Sequence, residues 1–226
     1  MTKRIAPQLN KFKYQNQSLR FNLGVLVLTV LCSFLIVVAT FTQLDFRHFI
    51  IPFDAFSYIN ANFKDPAVVA HFLKYYRYIP QIPIIMFIAA FLGRRFGLAS
   101  VLIYILVGLF FAPVFALGGG LDYVFQYGFG YILGYIPAVF FACSILNSGL
   151  TYRNMAQATL VGVLTIHVIG IAYMLFIATV QSENFALVLG WIVAQSGSKV
   201  LYDLLFGFIA MVCAKIAKKI LWFAIG

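Results

Sequence analysis

Runs of about 20 apolar residues follow one another along most of this chain, and a run of that length is what a helix needs to cross a bilayer. Candidate spans are 22–41, 79–93, 98–117, 128–147, 155–180 and a last one near 195–214. The expected fold class is therefore an all-α membrane protein with six transmembrane helices. Composition agrees, with 63% of the 226 residues hydrophobic, only 10% charged, and a mean hydropathy of +0.98. A soluble domain averages roughly 45–50% apolar and about 25% charged residues. One membrane domain, 22–226, accounts for the length and leaves no room for a soluble catalytic domain.

The net charge of +10 does not point to nucleic acid, because the basic residues sit in the tails and in two short loops. A tail over 1–21 carries Lys3, Arg4, Lys11, Lys13 and Arg20 with no acid. Arg94 and Arg95 lie between the second and third spans, Arg153 between the fourth and fifth, and Lys215, Lys218 and Lys219 follow the last. The loops around Asp122 and Glu183 hold neither Lys nor Arg. Positive residues mark the cytoplasmic side of a membrane protein. The pattern thus predicts six spans with both termini in the cytoplasm. The run Phe21–Phe41 is too long for the core of a signal peptide and lacks an A-x-A cleavage site, so it reads as a retained first span.

Two connections break the apolar pattern. The first, 42–78, is long, external, and carries both signs of charge. Within it, "KDPAVVAHFLKYYRY" offers Asp65 as an N-cap and Pro66 as a first helical residue, which predicts a short amphipathic helix lying against the membrane as an aromatic anchor or over an outer cavity. The second is "APVFALGGGLDY", Ala112 to Tyr123, where three consecutive glycines precede Asp122. Glycines let a backbone approach a ligand closely and leave N–H groups free to face an anion. The prolines of "YIPQIPIIMF" imply non-helical backbone near membrane depth, tolerated only where protein or a water-filled cavity satisfies it.

Enzyme signatures are missing. There is no H-E-x-x-H, no G-x-S-x-G and no Cys/His pair at zinc spacing. Cys32, Cys143 and Cys213 lie in apolar runs and read as small buried hydrophobes. "SGSK" at 196–199 fails the phosphate-loop pattern G-x-x-x-x-G-K-[ST], so the chain is not an ATPase by that route. No enzyme activity, metal or cofactor is expected. His167, alone in "LTIHVIG", is expected to be a structural hydrogen-bond partner. In "SGSKVLYDLLFGFIA", Lys199 and Asp203 are four apart and share a helix face. Asp203 lies about 6 Å deeper at 1.5 Å per residue. An ionisable residue inside a membrane is a functional-site candidate by default, and topology places it on the same side as Asp122.

These segments carry a resemblance. "YIPQIPIIMFIAAFLGRRFGLASVLIYILVGLFFAPVFALGGGLDY" and "GFGYILGYIPAVFFA" resemble the BioY family, the membrane-embedded substrate-binding (S) component of energy-coupling factor (ECF) biotin transporters. The shared pattern is a proline-led short second helix, a Leu-Gly turn, Tyr104 and Gly108, Pro113 to Ala116, the glycine cluster, and Gly130, Tyr131 and Gly134. The resemblance implies a six-helix protein that binds biotin in a pocket open to the outside. It implies as partners a transmembrane coupling subunit and separate ATPase subunits, in a bacterial cell membrane and with no nucleic acid. Carried over residue by residue, the substrate-binding set is Gly118, Gly119, Gly120, Asp122, Tyr123, Tyr131, Phe87, Lys199 and Asp203. In that set Asp203 accepts hydrogen bonds from the ureido N–H groups of biotin, while Phe87, Tyr123 and Tyr131 pack its rings and chain.

The chain departs from the family in three places. Phe206 stands where the family has a lysine three residues after the aspartate, and Lys199, one turn before Asp203, is the available substitute. The first connection is longer. The first span lacks an A-x-x-x-A surface for the coupling subunit and offers Thr29 and Ser33 instead. Two further readings stay open: an S component for a different vitamin-like ligand, and a non-transporting membrane scaffold.

Overall fold

The computed structural model describes residues 22–49, 73–182, 185–197 and 199–225. The basic tail, the Asp65–Pro66 cap and the Glu183 loop lie outside those residues. Helix α1 is Leu23–Phe41, opened by Asn22, whose side chain accepts from the Val25 N–H at 2.8 Å. An asparagine there satisfies one of the N–H groups a helix start leaves unpaired. Strands β1, Leu44–Phe49, and β2, Leu73–Tyr78, pair antiparallel with Leu44 opposite Tyr78. Helix α2 is Gln81–Phe110, followed by a five-residue 3-10 turn, Leu121–Phe125. Then come α3, Phe129–Leu146, α4, Tyr152–Val180, α5, Phe185–Ser196, and α6, Lys199–Ile225.

Among the described residues, five helices, α1, α2, α3, α4 and α6, are long and apolar enough to cross a membrane. Their outward faces carry Leu26, Val30 and Phe34 on α1, Leu102 and Leu106 on α2, and Leu164, Val168 and Phe176 on α4, all exposed. Inside lie buried Thr29, Ser33, Thr40, Ser100, Thr159, His167 and Asp203 beside the apolar core. A shell of exposed leucine and phenylalanine around a polar-containing interior suits lipid as the solvent, where polar side chains turn toward the bundle. The chain is an integral membrane protein.

Several boundaries differ from the sequence expectation. The spans expected over 79–93 and 98–117 are two arms of α2, separated by one non-helical residue, Gly93, with φ 75° and ψ −174°. No loop of several residues intervenes, because glycine accepts that positive φ at little cost and the helix resumes at once. The second arm ends at Phe110 instead of 117, since Pro113 biases the residues before it away from helix. The last helix starts at Lys199, past the break at Gly197, and runs to Ile225. Lys215, Lys218 and Lys219 are thus helical residues and not a tail. Helix α5 is an element the sequence reading did not assign.

The helix expected from Asp65 to Tyr78 is corrected in its second half, where residues 73–78 form β2. "LKYYRY" is rich in aromatics that favour a pleated surface, and β1 supplies the hydrogen-bonding partner that an isolated short helix would lack. Asp45 and Arg77, opposite one another, pair at 3.4 Å but are two-thirds exposed, so the pair adds little. Thr29 and Ser33 also differ from expectation. Both are buried within the bundle, and Ser100 of α2 donates to the Thr29 carbonyl at 2.9 Å. That small-residue face of α1 is used internally and is not open to a coupling subunit.

Candidate functional site

The buried end of α6 meets α4 and β2 at one carboxylate. Asp203 is 0% exposed and takes the Tyr78 hydroxyl on Oδ1 at 2.6 Å and His167 Nε2 on Oδ2 at 3.0 Å. Lys199 Nζ stands 3.7 Å from Oδ2, an ion pair longer than a hydrogen bond, with the lysine side chain 14% exposed. From His167 the contacts continue through Nδ1 to Ser196 Oγ at 2.9 Å and on to the Tyr131 hydroxyl at 2.6 Å. The Tyr131 ring stands edge-on to the imidazole, with centroids 5.8 Å apart. Two side chains from α6, one from each of α3, α4 and α5, and one from a strand end build this cluster.

Taking a carboxylate out of water costs several kcal/mol unless its lone pairs are satisfied. Tyr78 and His167 fill two of about four acceptor positions on Asp203. Lys199 supplies the opposing charge. An apolar residue would pack here with less electrostatic cost, so the arrangement points to function over stability.

A second polar group lies beside the first. Gln81, the first residue of α2, donates to Thr40 Oγ1 at 2.6 Å and to the Tyr104 hydroxyl at 3.1 Å, and its Oε1 accepts from Tyr135 at 3.1 Å. Tyr135 is within electrostatic reach of Asp203, Tyr104 and Tyr123. Tyr78 and Gln81 are three residues apart, and the segment "YIPQ" between strand and helix thereby ties α1, α2, α3 and α6 together.

The glycine loop packs on α2. The Gly120 N–H donates to the Gly108 carbonyl at 2.9 Å, and Phe115 and Gly118 exchange backbone hydrogen bonds. A Cβ on Gly119 would lie 2.7 Å from the Gly108 carbonyl oxygen and 2.8 Å from Pro113 Cα. The expectation of N–H groups free to face an anion is corrected at Gly118 and Gly120, whose N–H groups are spent on carbonyls inside the fold. Close approach toward α2 is what Gly119 supplies, while Gly118 and Gly120 adopt positive φ of 121° and 91°. Phe115, fully buried, meets Tyr123 at 4.6 Å between centroids, with Tyr104 and Phe129 around it. Burial pushes the Tyr123 phenol above its ordinary pKa, and a hydrogen bond with the Leu117 backbone opposes that shift.

Of the residues singled out from sequence, the structure brings Tyr131, Lys199 and Asp203 into one cluster. Gly118, Gly119, Gly120 and Tyr123 belong to the docked loop, while Asp122 is exposed on its surface. Phe87 stacks on Phe91 at 5.3 Å along the first arm of α2. Phe206 packs against Tyr78 and Tyr202, at 5.4 and 6.2 Å, on the same helix as Asp203. His167 is a hydrogen-bond partner as expected, but it is bonded to the candidate ligand residue itself. Tyr78, Ser196 and Gln81 were missed. Tyr78 is 125 positions from Asp203, and no local pattern marks that pairing.

The position of Tyr131 depends on Gly170 of α4. A Cβ there would fall 2.5 to 2.6 Å from three atoms of the Tyr131 ring. Gly170→Ala is expected to displace the ring and break its bond to Ser196, lowering thermal stability by about 1–3 kcal/mol, the usual cost of overpacking. Chemical denaturation or a fluorescence melt in detergent checks this; an unchanged melt shows that the ring is not held as described.

A family model described as the BioY family matches residues 78–222. Over 96 residues the chain is 32% identical to a protein of Lysinibacillus sphaericus named "Probable biotin transporter BioY". That match spans 42% of this chain and 49%, about half, of the relative's length. The fold is similar to the crystal structure of the S-component for biotin from an ECF-type ABC transporter, with a TM-score of 0.61 and 16% identity over 89% of this chain and 95% of that one. At that identity the likeness bears on the fold. The family match bears on more, since it takes in α2, the glycine loop, α3, α4 and all the residues of the Asp203 cluster. With well over half of its length matched, the chain belongs to the BioY family.

Proposed function

We propose that this chain is the biotin-binding component of an ECF-type uptake transporter, with energy supplied by separate ATPase subunits. The observation that carries the reading is Asp203, a fully buried carboxylate ion-paired and hydrogen-bonded within a membrane bundle, with acceptor capacity to spare. Biotin presents two ureido N–H donors, and Asp203 with the Tyr131 oxygen offers acceptors for them. Lys199 takes the role of the lysine that Phe206 replaces, approaching the aspartate from the preceding turn. Phe206 and Tyr202 add apolar surface. The glycine loop and Tyr123 wall the outer side, with Asp122 at the rim, and Phe87 lines the first arm of α2.

In this reading residues 22–226 form one domain in a bacterial cell membrane. The two arms of α2 count as separate spans, giving six with both termini cytoplasmic, and 42–78 is the external connection. The basic loops and the uncharged or acidic ones support that orientation. Because Thr29 and Ser33 are buried, a coupling subunit meets a different face of the bundle. Membership of a family of transport components supports a binding role over an enzymatic one.

Isothermal titration calorimetry on the purified, detergent-solubilised protein tests the proposal. Biotin is expected to bind one per chain with a roughly micromolar or tighter Kd. Helical, monodisperse protein that gives no binding heat with biotin, but a thermal shift with another vitamin, would assign a different ligand to the same fold.

A further inference from the structure

The contacts from Tyr131 to Asp203 form a chain in which each donor is dictated by its neighbour. As a carboxylate, Asp203 only accepts, so His167 Nε2 carries the hydrogen of the 3.0 Å contact. In a neutral imidazole Nδ1 is then bare and accepts, which makes Ser196 the donor across 2.9 Å. Ser196 has one hydrogen and has used it, so across 2.6 Å it accepts from Tyr131. All hydrogens point one way, from Tyr131 through Ser196 and His167 to Asp203. The Tyr131 oxygen is thereby left with lone pairs that the chain does not use.

A second proton on His167 reverses the upper half. Nδ1–H then donates to Ser196, the serine hydroxyl turns to Tyr131, and the Tyr131 O–H must swing out of the chain. One group changes from acceptor to donor while Asp203 remains an acceptor. The ionisable neighbours that face His167 are Asp203 and Lys199 from α6 and Tyr131 from α3, with Ser196 from α5 completing the contacts. Tyr78 from β2 shares the carboxylate, and Tyr135 of α3 lies in its electrostatic range. Carboxylates, lysines and phenols ordinarily titrate outside the range of about pH 5 to 8, whereas a histidine changes charge within it.

We propose that His167 is a positioning residue that sets the hydrogen-bond polarity of Tyr131 through Ser196, so that the site takes a ligand with two N–H donors only while the imidazole is neutral. This rests on the reading that Tyr131 and Asp203 contact the ligand, and it adds a pH dependence that the reading does not require. Biotin affinity is expected to fall roughly five- to tenfold from pH 7.5 to pH 5.5, the worth of about one hydrogen bond. Glutamine offers a fixed donor and a fixed acceptor and does not titrate. His167→Gln is therefore expected to bind biotin more weakly than the native protein at pH 7.5, but with the same affinity at both pH values. His167→Leu, which offers neither group, is expected to bind more weakly still.

Calorimetry at the two pH values gives the ratio for the native protein and for His167→Gln. A native ratio near one, or an undiminished ratio in His167→Gln, overturns the proposal. Nitrogen-15 NMR of histidine-labelled native protein at pH 7.5 tests the chain without any ligand. A neutral ring protonated at Nε2 supports it, and a ring protonated at Nδ1 overturns it. The NMR result stands even if biotin does not bind, so failure of the ligand assignment and failure of the relay are separable.

Discussion

Asp203→Asn is expected to weaken biotin binding about 100-fold or more, equivalent to the roughly 1.5–3 kcal/mol of a charge-assisted hydrogen bond plus the loss of complementarity. The carboxylate accepts on both oxygens, from Tyr78 on one and His167 on the other. An amide keeps one oxygen and replaces the other with an NH2 group, so either the Tyr78 hydroxyl or His167 Nε2 must change from donor to acceptor to meet it. Lys199 also loses its countercharge while remaining mostly buried. Removing one partner of a buried pair leaves the other uncompensated and is strongly destabilising. Asp203→Leu strands Lys199 as well and leaves the Tyr78 and His167 donors without an acceptor, so it is expected to be the less stable of the two variants and equally unable to bind. Titration calorimetry with a parallel melt separates these effects. Native-like affinity in folded Asp203→Asn would remove this residue from the site.

Gly119→Ala has the largest expected effect on stability. Its added Cβ meets the Gly108 carbonyl oxygen at 2.7 Å, Pro113 Cα at 2.8 Å and the Ala112 carbonyl oxygen at 3.1 Å. All three are backbone atoms, so no side-chain rotation relieves the overlap and the loop must lift from α2. Lifting it breaks the bond from Gly120 to Gly108 and opens the aromatic cluster around Phe115. A loss of about 3 kcal/mol is expected, at the upper end of the cost of overpacking. Gly24→Ala, where the new atom meets only Asn22 Oδ1 at 3.5 Å, serves as the control and should melt with the native protein. If Gly119→Ala also melts with the native protein, the loop is not seated on α2.

Much of the fold was legible because lipid imposes a simple rule on sequence. Apolar runs of spanning length located α1, α3 and α4 to within a few residues. Helix α5 was not legible, since "FALVLGWIVAQS" is short and ends at a glycine only two residues before Lys199. Strand β2 was misread because the Asp-Pro start signal upstream is local, while the partner that makes "LKYYRY" a strand lies in β1.

The site divides along the same line. Lys199 and Asp203 stand out from sequence because charge in an apolar helix is costly and their spacing puts them on one face. Tyr78, Ser196 and Gln81 carry no such mark; a tyrosine at a strand end or a serine before a glycine is ordinary. Nor does sequence reveal that Gly119 turns its closeness toward Gly108, since that depends on where α2 stops. By itself, then, the sequence determined that this is a helical membrane protein of a recognisable pattern with a buried acid–base pair in its last helix. Only the tertiary structure decided which hydroxyls and which imidazole reach that acid. Hydrogen bonds act over about 3 Å, and that proximity comes from the packing of α3, α4, α5, α6 and β2 and not from any spacing along the chain.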